Sequence, residues 1–306
     1  EGKSMKKIKK GSTIGIVAPA SYTDFKNVFD AKKNLEDLGY NVILGNCTKK
    51  KWYSYAGEDR ERANEINEFF SNKDVDIIMC MRGGYGCNRI VEYLDLEVIK
   101  ANPKPFIGYS DITTLHILFN QKLDMVTFHG PMFVSNLKTG HNLETYRNFV
   151  EILSGEKRKI DNFSKELKVL VEGKATGKLV GGNLATLIAT LGTEYDLDYE
   201  GKILFLEEIG EEPYKIDRFL NMLKKHGVFE KVNGVILGDF NDCNSSSENQ
   251  MPLEEVIKDY LGNLKVPVIY NLESGHCEPM LTLPLGANIS LDTEKMEIKI
   301  VDRVVE

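Results

Sequence analysis

Val75-Asp76-Ile77-Ile78-Met79-Cys80-Met81 runs without a break into Arg82-Gly83-Gly84-Tyr85-Gly86, and this stretch decides the fold. The first seven residues read as a buried strand, the near-continuous apolar run of a parallel sheet. The glycines that follow permit positive φ and let backbone N–H groups approach a ligand closely, and a helix is expected over 87–94. Upstream, Ile14-Gly15-Ile16-Val17-Ala18-Pro19 is a short β-branched run ended by proline. Residues 26–39 then carry apolar positions at helical spacing up to Gly39, Asn41–Leu44 reads as a second strand, and 59–72 as a helix rich in Glu, Asn and Arg. Downstream, Pro105-Phe106-Ile107-Gly108-Tyr109 is a further strand feeding a helix over Asp111–Asn120. Strands alternating with helices predict a parallel sheet with helices on both faces, its functional groups at the carboxyl ends of the strands.

Beyond this region the character changes. The expected division is an α/β domain over 1–140, a polar connection over 141–175, and a mixed α/β domain over 176–306. The last holds β-rich segments at 168–180 on its border, Ile203–Leu206, Val235–Leu237, Val268–Asn271, Leu281–Leu283 and Lys295–Val301, with helices at 182–191, 213–226 and 252–261. The length of 306 residues favours two domains. A net charge of -7 works against a nucleic-acid partner. No apolar run approaches the ~18 residues of a membrane helix, and the amino-terminal residues lack a secretory apolar segment. Five scattered cysteines without a Cys-x-x-Cys pair fit a reducing compartment, and cytoplasm is the expected location.

Gly108-Tyr109-Ser110-Asp111 sits where a strand turns into a helix, a context that exposes a serine hydroxyl as a nucleophile; the same residues also suit a helix cap. Arg82–Gly86 offers an anion or oxyanion site or merely a tight turn. The chain has no Walker sequence and no complete dinucleotide fingerprint, so no cofactor is expected. A nucleophilic serine needs a base, and the histidines are His116, His129, His141, His226 and His276. His276 stands out in the turn-rich Glu273-Ser274-Gly275-His276-Cys277-Glu278-Pro279; His129 is second, while His116 falls in an apolar helix and His226 near a helix C-terminus. Leu204-Phe205-Leu206-Glu207-Glu208 puts carboxylates at the end of an apolar strand, where an acid orients a histidine or is simply solvated. Asp239, Asp242, Cys243, His276 and Glu278 form an alternative metal cluster whose spacing matches no standard site.

Taken together, these segments resemble the LD-carboxypeptidase family of serine peptidases, which includes the microcin C immunity peptidases. The resemblance runs from Gly15–Pro19 through Arg82–Gly86, Gly108–Asp111, His129-Gly130-Pro131 and Gly181-Gly182-Asn183-Leu184. It continues through Leu206–Glu208, Pro213-Tyr214-Lys215-Ile216-Asp217-Arg218 and Gly275-His276 to Leu283-Pro284-Leu285-Gly286. It implies a flavodoxin- or glutamine-amidotransferase-like N-terminal sheet and a triad of Ser110 as nucleophile, His276 as base and Glu207 as orienting acid. Of the two adjacent acids, the first occupies the family's catalytic position. Backbone N–H groups of Gly84 and Asp111 are the implied oxyanion donors. Arg82 is a candidate to neutralise a substrate carboxylate, or a structural ion pair. The carboxypeptidase branch removes terminal D-Ala from a murein tetrapeptide in cytoplasmic cell-wall recycling, whereas the immunity branch hydrolyses an aminoacyl-nucleotide analogue. The compact loop at 239–252 favours the former. A non-enzymatic muropeptide- or amino-acid-binding protein shares the fold but has no need of the three residues together. The resemblance further implies a homodimer acting on a small peptide, while the charge, the apolar runs and the ligand spacing lead us to expect no nucleic-acid, membrane or metal partner.

Overall fold

The computed structural model describes residues 5–140 and 142–306. The chain divides into two compact units. The first runs to Lys157 and regains Thr282–Pro284 and Arg303–Glu306; the second holds Arg158–Leu281 and Leu285–Asp302.

In the first unit, strands β1 (Thr13–Val17), β2 (Asn41–Leu44), β3 (Ile77–Cys80), β4 (Phe106–Gly108) and β5 (Thr127–His129) are parallel neighbours in the order 2-1-3-4-5. This is the flavodoxin-like order, and its reversal between β1 and β3 is where such sheets open a crevice at the strand ends. Every residue of β3, β4 and β5 is buried, as strands covered on both faces must be. The helices between them are α1 (Phe25–Asp37), α2 (Asp59–Ser71), α3 (Cys87–Ile90), α4 (Leu96–Ala101) and α5 (Thr113–Leu123), followed by α6 (Phe133–Leu137) and α7 (Leu143–Leu153). The helix expected over 87–94 is α3 continued by a 3₁₀ turn at Val91–Tyr93, and that expected from Asp111 begins with a 3₁₀ turn at Ser110–Ile112.

The second unit is a mixed sheet. Strands β7 (Lys174–Asn183), β8 (Ile203–Ile209), β9 (Gly234–Asn241) and β10 (Val268–Tyr270) run parallel at its centre. The antiparallel strands β12 (Asn288–Asp292), β13 (Glu297–Ile300) and β6 (Lys168–Val171) flank them. Its helices are α8 (Leu184–Ile188), α9 (Pro213–Lys225), α10 (Val228–Lys231) and α11 (Leu253–Leu261). The strand expected at 281–283 is β11 (Leu283–Leu285), the edge of the first sheet beside β5.

The stretch 141–175 is divided between the units: α7 belongs to the first, β6 to the second. Helix α7 buries Phe149, Ile152 and Leu153, but the same face also buries Thr145 and Asn148, which dilutes the apolar periodicity. Asn148 Oδ1 accepts from the Thr282 N–H at 2.8 Å, so a polar residue on that face has a structural task. Among the described residues, no helix is long and apolar enough to cross a membrane.

Candidate active site

Strand β4 ends at Gly108, Tyr109 remains extended, and Ser110 turns left-handed with φ 64°. A non-glycine residue held there costs on the order of 1–3 kcal/mol, a strain that clusters at functional turns. The turn is fixed from behind by His116, fully buried in α5. Its Nε2–H donates to Gly108 O at 2.8 Å, while Nδ1 accepts from the Thr127 hydroxyl at 2.7 Å. Burial pushes His116 down to about 3, so it is a neutral structural pin.

The glycine-rich turn lies against this serine. A Cβ added to Gly83 would stand 3.1 Å from Ser110 Cβ and 3.2 Å from its Oγ. Gly84 has φ 102°, and a Cβ there would collide with the Ser21 side chain. Ser21 also accepts the Tyr85 N–H at 3.1 Å. Arg82 donates to Tyr22 O at 3.0 Å. The Asp111 carboxylate accepts from the Cys87 N–H at 2.9 Å; burial raises its pKa against the opposing hydrogen bonds from Cys87 and Gly86.

Glu207 and His276 meet in the second unit. His276 Nδ1 lies 2.9 Å from Glu207 Oε2, with the Glu207 side chain fully buried and that of His276 17% exposed. Burial works against the imidazolium, but the hydrogen bond and charge of Glu207 outweigh it, assisted by Glu208 and Asp239, so His276 titrates above its ordinary value. Gly275, at φ 132°, makes the approach possible: an added Cβ would stand 3.0 Å from Glu207 Cβ. Asn241 Nδ2 donates to His276 O at 2.7 Å, and Glu273 Oε1 accepts from Ser164 N, tying the loop down. Adjacent Glu208 faces elsewhere, accepting from Asn183 Nδ2 at 3.0 Å and the Ala185 N–H at 2.8 Å. Both acids are buried, so neither is solvated, and strand alternation separates their tasks.

Thus the structure brings Glu207 to His276 and the Arg82–Gly86 turn to Ser110 and Asp111, the first pair in the second unit and the second group in the first. His129 is buried in β5 with its ring 5.9 Å from that of Tyr109. His226 Nε2 pairs with Asp196 at 2.7 Å. His141 lies outside the described residues. Among the described residues, no three His, Cys, Asp or Glu side chains converge as a metal site; Asp239 pairs instead with Lys165 at 3.6 Å, and Cys243 donates to Asn241 O. Sequence reasoning passed over Arg62 and Asn241. Arg62 shares the buried stripe of α2 with Ala63, Ile66, Phe69 and Phe70, a helical spacing that marks it as an interior residue.

Comparison with known proteins agrees over both units. Residues 14–130 match the LD-carboxypeptidase N-terminal domain and residues 176–291 the LD-carboxypeptidase C-terminal domain. A Bacillus subtilis protein named "Probable murein peptide carboxypeptidase" is 40% identical, covering 94% of this chain and 91% of the relative. The microcin C7 self-immunity protein MccF of Escherichia coli is 32% identical, over 96% and 94%. A crystal structure of muramoyltetrapeptide carboxypeptidase from Oxalobacter formigenes has a TM-score of 0.86 at 30% identity, covering 94% of this chain and 98% of that one.

Proposed function

Since the chain belongs to the LD-carboxypeptidase family, a family of serine peptidases of the carboxypeptidase kind, we propose that it hydrolyses the L,D-peptide bond before the terminal D-Ala of a murein tetrapeptide. The observation that carries the site assignment is the buried Glu207–His276 pair. A carboxylate can only accept, so the proton sits on Nδ1 and leaves Nε2 as the base. In this reading Nε2 takes the Ser110 proton as Oγ attacks the carbonyl, and the imidazolium is stabilised by Glu207. The Gly84 and Asp111 N–H groups receive the developing oxyanion, each such donor typically being worth about 3–4 kcal/mol of barrier. His276 then returns the proton to the departing D-Ala amine, and water, activated by the same imidazole, cleaves the acyl-enzyme. Arg82 remains a candidate for the substrate carboxylate. The identity to the B. subtilis relative supports this branch; the substrate is then a soluble muropeptide recycled in the cytoplasm, and the working form a homodimer.

The MccF relationship favours a second reading, hydrolysis of an aminoacyl-nucleotide analogue by the same machinery. Incubation with murein tetrapeptide and, separately, with an aminoacyl-sulfamoyl adenosine, followed by mass spectrometry, decides between them. Release of D-Ala is expected; release of the amino acid alone selects the second reading, and release of neither overturns both.

A further inference from the structure

Arg62 is completely buried, and its guanidinium spends most of its donors on backbone carbonyls. Nε donates to Gly57 O at 2.9 Å, and Nη1 to Pro19 O and to Gly86 O, the latter at 3.0 Å; Nη2 reaches Asp59 Oδ1 at 2.6 Å. A desolvated cation is tolerated only when it is paired and hydrogen-bonded, so these bonds are a condition of its burial. They join three separate segments: the chain after β1, the approach to α2, and the glycine-rich turn. The peptide unit that Arg62 grips at Gly86 O is the same one whose N–H, on Cys87, is held at 2.9 Å by the Asp111 carboxylate. Gly86 has φ 146°, and an added Cβ would stand 2.7 Å from Arg62 Nη1, so only glycine lets the cation come so near.

We propose that Arg62 and the Asp111 side chain clamp the two ends of the Gly86–Cys87 peptide and thereby position the glycine-rich turn, with its Gly84 amide, against Ser110. A rotation of that peptide plane breaks both contacts at once. Asp111 is also the chain neighbour of Ser110, and a Cβ added to Gly83 would stand 3.1 Å from Ser110 Cβ and 3.7 Å from Asp111 N, so the clamped turn lies directly against the serine and its neighbour. Arg62 and the Asp111 carboxylate are positioning groups here; they act through the turn. The proposal rests on the preceding reading of Ser110 as nucleophile and Gly84 as oxyanion donor.

The test uses the full chain with whichever substrate is turned over. Arg62→Met and Asp111→Ala should each lower kcat about 10²-fold with KM within about threefold, the size expected for a mispositioned oxyanion donor. Because both groups hold one peptide, the double variant should be no more than about threefold worse than the worse single one, whereas independent losses would multiply to about 10⁴-fold. Asp111→Asn, which keeps an acceptor oxygen, should restore most of kcat. If Arg62→Met does not fold by circular dichroism, Arg62→Lys replaces it in the cycle. The rate of Ser110 modification by a fluorophosphonate should fall in parallel with kcat. Multiplicative losses, or singles retaining more than half of wild-type kcat, overturn the clamp while an inactive Ser110→Ala leaves the nucleophile standing. An active Ser110→Ala overturns the nucleophile itself.

Discussion

Neighbouring side chains of one kind carry different tasks, and the clearest case is Glu207 beside Glu208. Of the two, it is Glu207 that pairs with the His276 ring, so Glu207→Gln should lower kcat roughly 10⁴-fold, the cost of losing the orienting acid in a triad. Glu208→Gln should instead leave most activity but lower the melting temperature, since one of its accepting oxygens becomes an amide nitrogen facing Asn183, Ala185 or Ile209 donors. Steady-state kinetics and thermal melts of the two variants check both, and the opposite order of kinetic damage would reassign the acid. The base must be neutral to act. Because Glu207 raises the His276 pKa, the acid limb of kcat/KM should lie above the ordinary histidine value and move to lower pH in Glu207→Gln, even as the rate falls. Ser110→Ala should lower kcat about 10⁶-fold while binding survives in calorimetry.

Secondary-structure elements here are joined at their ends by single buried groups. Glu65 of α2 accepts the Ala18 N–H past the end of β1 at 2.9 Å and the Cys47 N–H near β2 at 2.8 Å. Burial raises this carboxyl to about 7 from 4.5. The folded state therefore holds the proton more tightly than the unfolded one; the resulting stability is complete below about pH 4.5 and is lost as pH rises through about 7. The loss should reach on the order of 3 kcal/mol. Melts of wild type against Glu65→Gln between pH 4 and 8 should show this slope only in wild type. The legibility of such elements differs with their chemistry. Strand β3 and its turn could be read because an unbroken apolar run meets three glycines, and Ser110 because it sits at the next such turn. Helix α7 could not, since its buried face includes Thr145 and Asn148; β5, only three residues long, shows no periodicity at all. Arg62 and Glu65 look like solvent-facing charges in a polar helix, and only their place on the stripe of Ala63 and Ile66 argues otherwise. The Glu207–His276 contact spans 69 residues, beyond the reach of any local pattern, so the pair was legible only as what the family resemblance implies, and the fold adds its distance and burial.

At the scale of the whole chain, the units are discontinuous. The boundaries fall at 157/158, 281/282, 284/285 and 302/303, so the first unit is completed by two short returning segments. Met5 N donates to Val304 O at 3.2 Å, Glu306 N to Met5 O at 2.8 Å, and Thr282 N to Asn148 Oδ1. A fragment ending at Lys157 lacks all of these partners and should unfold well below the intact protein, which circular dichroism melts of the fragment would check; an equal melting temperature would show the returning segments to be dispensable. The same stitching has a bearing on heredity. A single genetic crossover near residue 158 between two relatives joins the start of one first unit to returning segments drawn from the other parent. Such a mosaic completes the first unit of one parent with short segments of the other. An exchange that respects the molecule must replace 158–281 and 285–302 while leaving 282–284 and 303–306 with their original parent, which makes the second unit a poor traveller on its own.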